Sequence, residues 1–178
     1  MLIHWVEDSL KKVFQDDGPS AEATYRVRLA AARNEREDVQ ICLRSSQGVA
    51  EVRVELSALH GPGGASIPAE CLTADFVGYV PVFENTRDNG QGEHIIRRAP
   101  AFFPDPFLEW PTALLQPNRT QPIWITVAVP ADAAPGEYTG NLTIKADAQT
   151  VTVPLALEVW PFSVPQKTSM WNTNWFST

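Results

Sequence analysis

Long apolar runs are missing from this sequence of 178 residues. None approaches the roughly 20 residues that a helix needs to span a bilayer, so we expect no membrane insertion. Positive charge is also scarce, since 14 Lys and Arg face 21 Asp and Glu and the net charge is -7. The one dense basic pair is Arg97 and Arg98, whereas phosphate binding needs clusters of such residues. We therefore expect no nucleic-acid partner.

Cysteine is nearly absent as well, with only Cys42 and Cys71. Two cysteines cannot make a disulfide framework, and neither stands at zinc-ligand spacing. A chain of this length can bury on the order of 70% of its unfolded surface without such support. Whether the two cysteines pair stays open at this point, and two buried thiols are the simpler interpretation.

Familiar catalytic patterns are lacking too. His4, His60 and His94 are far apart, and no nucleophile elbow or dinucleotide-binding loop occurs. The adjacent acid pairs Glu7–Asp8 and Glu37–Asp38 would point to opposite faces of a strand. We expect no cofactor, no metal and no catalysis by this chain itself. A hydrolase using Glu84, Arg87 or Asp105 is the weakest of the alternatives.

The N-terminus "MLIHWVEDSL" has neither the basic region nor the apolar core of a signal peptide. Two localisations stay open. The protein is cytoplasmic if Met1 is the native start, or exported if a leader was removed.

Alternation of apolar and polar residues is what the sequence does contain. Period two predicts half-buried strands, and turn clusters rich in Gly, Pro and Asp separate the segments. We expect an all-β protein, a two-sheet antiparallel β-sandwich of the immunoglobulin-like or jelly-roll-like kind. The residues predicted to face inward include Tyr25, Val27, Leu29, Val39, Ile41, Leu43, Val52, Val54, Leu56, Ile123, Ile125, Val127, Val129, Tyr138, Leu142, Ile144, Val151, Val153, Leu155, Leu157 and Val159.

One stretch interrupts this alternation. Residues 99–117, "APAFFPDPFLEWPTALLQP", combine five prolines with four aromatic residues. Because proline has no N–H to donate, the segment cannot be a central strand. We expect a long ordered Pro/Phe-rich loop whose aromatic side chains pack against the edge of the sandwich.

Tryptophans are the candidate functional residues. In their strands Trp124 and Trp160 fall out of phase with the buried residues, so both are predicted to face outward. The C-terminal sequence adds Trp171 and Trp175. Several outward tryptophans suggest an apolar patch, and such patches usually meet a partner or a ligand. Either a neighbouring domain covers them, or their flat rings stack on sugars.

The C-terminal segment has no strand partner in the sequence. "WPFSVPQKT" lacks periodicity and indicates a linker, after which "SMWNTNWFST" alternates like the first strand of a new domain. We therefore divide the chain into a β-sandwich at residues 1–162 and a linker with the start of an absent C-terminal domain at residues 163–178.

Several stretches together carry a family resemblance. They are "AARNEREDVQICLRS", "FFPDPFLE" with Pro104–Asp105–Pro106, "QPIWITVAVPADAAPGEYTGNLTI" and "LALEVWPFSVP". Their order and spacing resemble the N-terminal β-sandwich of glycoside hydrolase family 123 and of the related domain of unknown function 4091 proteins. The resemblance covers nearly the whole chain.

That resemblance implies a division of labour. In the family a (β/α)₈ barrel follows the sandwich and cleaves N-acetylgalactosaminides with an adjacent Asp–Glu pair. This sequence has no Asp–Glu dipeptide, so no catalytic residue carries over. The segment with Asn174 and Trp175 falls where the first barrel strand would begin, and there these residues would border a sugar site.

Two functions follow as hypotheses. The first is a non-catalytic accessory β-sandwich supporting a C-terminal barrel that acts on glycans, with Trp124, Trp160, Trp171, Asn174, Trp175 and Asp105 on a ligand or interdomain surface. The alternative is a stand-alone carbohydrate-binding module that uses Trp110, Trp124, Trp160 or the C-terminal tryptophans. Carbohydrate is thus a possible partner besides the barrel.

Overall fold

A computed structural model describes residues 1–85, 95–167 and 169. Within them, no helix is long and apolar enough to cross a membrane. The 3₁₀-helices are Pro62–Gly64 and Ala69–Cys71. The strands are β1 (Leu2–Asp8), β2 (Val27–Arg33), β3 (Arg36–Ser45), β4 (Val49–Leu56), β5 (Leu59–His60), β6 (Ser66–Ile67), β7 (Leu72–Val82), β8 (Ala101–Leu108), β9 (Ala113–Leu115), β10 (Thr120–Ala128), β11 (Gly136–Ala146) and β12 (Gln149–Ser163).

Two sheets pack face to face, which confirms the predicted all-β sandwich. Sheet A has the strand order β1-β3-β10-β7-β8. Sheet B has the order β2-β12-β11-β4-β9, with β5 paired to β11 and β6 paired to β5. Neighbouring strands are antiparallel except β2 and β12, which run parallel. Most of the chain separates β2 from β12 in sequence, so no local turn signal could have predicted that these two strands pair.

The main core lies between the sheets and follows the predicted alternation closely. On β10, Ile123, Ile125 and Val127 are completely buried. On β11, Leu142 and Ile144 are completely buried as well. Tyr25 was predicted to point inward, and this prediction is wrong. It precedes β2, is 57% exposed, and contacts the ring of His4 edge-on at 5.5 Å.

The Pro/Phe-rich stretch is not a loop, contrary to expectation. It contains β8 and β9. Within sheet A, β8 pairs with β7 alone and forms an edge. An edge strand needs donors on one side only, which is why Pro104 and Pro106 are tolerated there. The register shifts between Val77 and Tyr79, opposite these prolines.

A second, smaller core lies on the outer face of sheet A. Residues 9–24, which we call the cover segment, cross this face between β1 and β2. Under the segment, Trp5, Val13 and Cys42 bury one another. Both cysteines are free thiols. Cys71 packs against the main core instead, so the two sulfurs belong to different layers of the protein.

Hydrogen bonds to backbone carbonyls fix the cover segment in place. Arg44 Nη1 donates to the carbonyl oxygens of Gln15 and Asp17, both at 3.2 Å. Tyr79 donates its hydroxyl to the carbonyl oxygen of Val13 at 3.0 Å. Because these donors stand on the strands of sheet A, they tie the segment to the sheet.

Candidate functional site

The two outward tryptophans lie on different sheets. Trp124 belongs to β10 in sheet A, and Trp160 belongs to β12 in sheet B. Each faces away from the core, as their phase predicted. Because the sandwich lies between them, they do not share one patch, and two separate surfaces have to be considered.

The first surface is a groove on the outer face of sheet A, which we call the Trp124 groove. It encloses roughly 320 Å³. Its floor is formed by β3, β10 and β7, one wall by β8 and the other by the start of the cover segment. Asp105 and Trp124, both candidate residues from the sequence, lie in it together. The remaining lining residues are Ser9, Leu10, Lys11, Lys12, Gln40, Val77, Pro104 and Phe107.

Strand register explains how these side chains meet. Trp124 is directly opposite Gln40 on β3 and Asp75 on β7. Phe107 on β8 is opposite Val77, which lies two residues from Asp75 along β7. Trp124 and Phe107 lie on the same outer face of sheet A, with β7 between their strands. The rings of Phe107 and Trp124 are accordingly 5.1 Å apart between centroids, tilted by 39°.

Polar groups surround this aromatic pair. Gln40 is almost fully buried, and its Nε2 donates to the carbonyl oxygens of Asp8 at 2.8 Å and Lys11 at 2.7 Å. The side-chain carbonyl oxygen of Gln40 is therefore the atom with which it can accept a hydrogen bond from a ligand. Burial raises the pKa of the Asp75 carboxyl, and the negative charge of Glu109 raises it further.

The second surface is an apolar ladder at the end of β12, which we call the exit ladder. It consists of Trp160, Phe162 and Val164, which are 38%, 55% and 37% exposed. The rings of Trp160 and Phe162 stack with centroids 5.7 Å apart and an interplanar angle of 24°. Period two along the strand places both rings on one face.

The chain around the exit ladder is held by β2 and the turn after it. Asn34 Nδ2 donates to the carbonyl oxygen of Val164 at 2.7 Å. The Val164 amide donates to the Arg33 carbonyl oxygen at 2.9 Å. The buried Nε of Arg33 has no hydrogen-bond partner among the described residues. The ladder is thus fixed in position and exposed at the same time.

Other candidate residues lie elsewhere. Trp110 is 59% exposed and lines a separate depression of roughly 480 Å³ near Arg119. Glu84 is exposed and lies at the end of the described range 1–85. Arg87, Trp171, Asn174 and Trp175 lie outside the described residues. In the described part of the chain, no group of three His, Cys, Asp or Glu could hold a metal ion.

The match to a family model decides the family. Residues 10–146 match the glycoside hydrolase 123 N-terminal domain. The chain belongs to this family. The family match takes in the cover segment and the strands of the Trp124 groove, but it ends before the exit ladder.

Solved structures add a likeness in fold. The sandwich resembles part of a family 123 glycoside hydrolase from Clostridium perfringens, with a TM-score of 0.76 and 16% identity over 93% of this chain. The chain spans 28% of the length of that enzyme. The CooA pilin subunit from enterotoxigenic Escherichia coli aligns with 89% of this chain and 99% of its own at 12% identity, with a TM-score of only 0.38. A comparison with curated protein sequences finds no match.

Sequence reasoning missed most of the Trp124 groove. The proline pattern predicts a loop at Phe107, and no motif marks Gln40 or Lys12 as site residues. Only strand pairing brings β8 beside β7 and the cover segment over β3. The one available signal was a spacing. Asp105 and Phe107 are two residues apart, and side chains at that spacing share one face of a strand.

Proposed function

We propose that this chain is a non-catalytic accessory domain that supports a C-terminal barrel acting on glycans. Its membership of the family of N-terminal domains supports this role. So does its likeness to 28% of a much longer glycoside hydrolase. In this proposal the barrel supplies the catalytic residues, and the sandwich supplies a folded surface against which the barrel packs.

The exit ladder is the observation that carries the proposal. A stacked Trp–Phe pair exposed on a strand end is apolar surface that water solvates poorly. Tryptophan and phenylalanine are also enriched at the centres of protein interfaces. The ladder stands on the last residues of β12, beside the point where the chain leaves sheet B. A following domain would reach it without a long linker.

The C-terminal candidates keep their role in this proposal. Residues 163–178 would form the linker and the start of the barrel, beginning at the last residue of β12. Trp171, Asn174 and Trp175 would then belong to the interdomain region or border the sugar site of the barrel.

The test uses the longer protein in which this sandwich precedes its barrel. Trp160→Ser with Phe162→Ser should lower the melting temperature of the barrel, because the variant removes the apolar contact between domains. Loss of a buried aromatic contact at an interface centre costs on the order of 2–4 kcal/mol. Calorimetry on the full protein gives the melting temperatures, and the isolated sandwich shows whether it stays folded.

The matched control is Trp110→Ser, which removes another exposed tryptophan away from the ladder. It should leave the barrel transition unchanged. An unchanged barrel transition in the Trp160/Phe162 variant would refute the proposed docking surface.

The Trp124 groove favours a second candidate function, a carbohydrate-binding module. The specific observation is that Trp124, Phe107 and Asp105 meet in one depression. The two functions are compatible, because the groove and the exit ladder lie on different sheets.

A further inference from the structure

We propose that the Trp124 groove binds the pyranose ring of a short glycan, with Trp124 as the platform under the ring and Asp105, Lys12 and Gln40 as its polar contacts. This inference rests on the second candidate function and names the ligand class and contacts of that site, and it does not depend on the exit ladder. The site would give the sandwich a glycan contact of its own, away from any catalytic centre in a following domain.

The platform argument starts from the shape of a sugar. A pyranose ring has a face made of C–H groups, while its hydroxyls project around the rim. A site for such a ring needs a flat apolar surface with polar groups at its margin. Trp124 offers the flat surface, and Phe107 meets it at 39° with centroids 5.1 Å apart. Together the two rings form an angled apolar floor.

Polar groups of three kinds stand around this floor. Asp105 is exposed on the β8 wall, and its carboxylate can accept hydrogen bonds. Lys12 is exposed on the opposite wall and can donate. Gln40 can accept through its carbonyl oxygen from the floor, since Nε2 is already engaged. Sugar hydroxyls both donate and accept, so a mixture of this kind suits them.

The groove is preformed, which favours binding of a small ligand. Its second wall belongs to the cover segment, which Gln40, Arg44 and Tyr79 fasten to sheet A. A wall that is already ordered costs little entropy when a ligand binds. The side chain of Lys11, next to Lys12 in this wall, is also held in place, because its Nζ pairs with the Glu7 carboxylate at 2.6 Å.

Size and charge favour a sugar over a protein partner. The volume of roughly 320 Å³ lies at the small end of the range of about 300–1,000 Å³ for small-molecule sites. Protein interfaces usually bury about 800 Å² per partner and lose charge at their centres. This groove instead keeps a carboxylate and an ammonium on facing walls. One or two sugar rings fit it better than a flat protein surface.

The experiment follows the indole N–H signals of this chain by NMR. Lactose and cellobiose are the probes, and sorbitol is the control because it has hydroxyls but no ring face. We expect a saturable shift of the Trp124 signal with one of the two disaccharides, in the millimolar range. Trp124→Ala should weaken binding about tenfold or more, and Trp124→Phe should retain part of it. Asp105→Asn should weaken it without changing the fold.

Trp110→Ala and Trp160→Ala are the controls, since each removes an exposed tryptophan outside the groove. They should leave disaccharide binding unchanged. Circular dichroism separates loss of binding from loss of fold in each variant. The proposal is overturned by the absence of a Trp124 shift with either disaccharide, by an equal shift with sorbitol, or by binding that survives Trp124→Ala in a folded protein. A Trp124 signal that moves only when the barrel is present assigns the groove to domain docking and also overturns it.

Discussion

Tyr138 shows at the residue scale what the "PGEYTG" stretch does. The side chain is completely buried, and its hydroxyl donates to the carbonyl oxygen of Ala134 at 2.9 Å. A tyrosine that bonds the backbone a few residues upstream also closes corners of immunoglobulin-type sandwiches. The motif therefore serves the packing of sheet B.

Gly61 is the position where this packing is tightest. A Cβ there would lie 2.4 Å from the Tyr138 ring, and the ring is buried and cannot move aside. Gly61→Ala should lower the free energy of unfolding by about 1–3 kcal/mol through overpacking. Urea denaturation measures the loss. Gly18→Ala is the control, because nothing lies within 4 Å of its added Cβ, and an equal loss in both variants would contradict the steric explanation.

Asp75 gives a pH dependence with a defined sign. Burial, helped by the negative charge of Glu109, raises its pKa above the ordinary value of 3.8. The folded state thus disfavours the ionised form, and stability decreases as the pH rises through the raised pKa. Asp75→Asn should therefore increase the free energy of unfolding at pH 7 and leave it nearly unchanged at pH 3.

Chemical denaturation at the two pH values measures this difference. Asp132→Asn, in an exposed turn, is the control and should change stability at neither pH. A loss of stability at pH 7 in Asp75→Asn would show that the carboxylate is held by favourable contacts instead.

The cover segment is the feature that matters most at the element scale. It shields Cys42, and burial raises the pKa of that thiol far above its ordinary range. Arg44 holds the segment through hydrogen bonds to the carbonyl oxygens of Gln15 and Asp17. Opening of the segment should therefore expose the Cys42 sulfur without unfolding the main core.

Thiol labelling can test this. In a Cys71→Ser background, Arg44→Gln should speed the labelling of Cys42 about tenfold or more, since hydrogen bonds to a charged group contribute roughly 1.5–3 kcal/mol. Arg53→Gln is the control, because Arg53 makes an exposed ion pair with Glu51 away from the cover segment. An unchanged labelling rate in Arg44→Gln would mean that Cys42 is released only by global unfolding.

The strand β8 shows where sequence reasoning stops at the element scale. Its prolines excluded a central strand, and the structure agrees, since β8 is an edge. The same prolines did not exclude an edge strand, because an edge needs no donor on its outer side. Composition alone cannot tell an edge from a loop, since the difference is whether a neighbour such as β7 is present.

Two separate surfaces distinguish this protein at the scale of the whole molecule. The Trp124 groove and the exit ladder stand on opposite sheets with the main core between them. When two substituted residues share no contact partners, their changes in the free energy of unfolding usually add within about 0.3–0.5 kcal/mol. The changes in free energy of unfolding for Trp124→Ala and Trp160→Ser should therefore add in the double variant.

Urea denaturation of the two single variants and the double variant measures this coupling. We expect a single cooperative transition in each, because one core joins both sheets. A coupling above about 1 kcal/mol would contradict the separation of the two surfaces. It would show that a structural change on one sheet reaches the other.

The sequence by itself determined the fold class and the inward residues of most strands. Period-two alternation does this locally, since it fixes which face of a strand is buried whatever its neighbours are. Only the tertiary structure decided that Trp124 and Trp160 lie on opposite sheets, that β8 borders the groove, and that a second core covers Cys42. Those facts depend on which strands pair, and pairing joins residues far apart in the chain through contacts that no local pattern records.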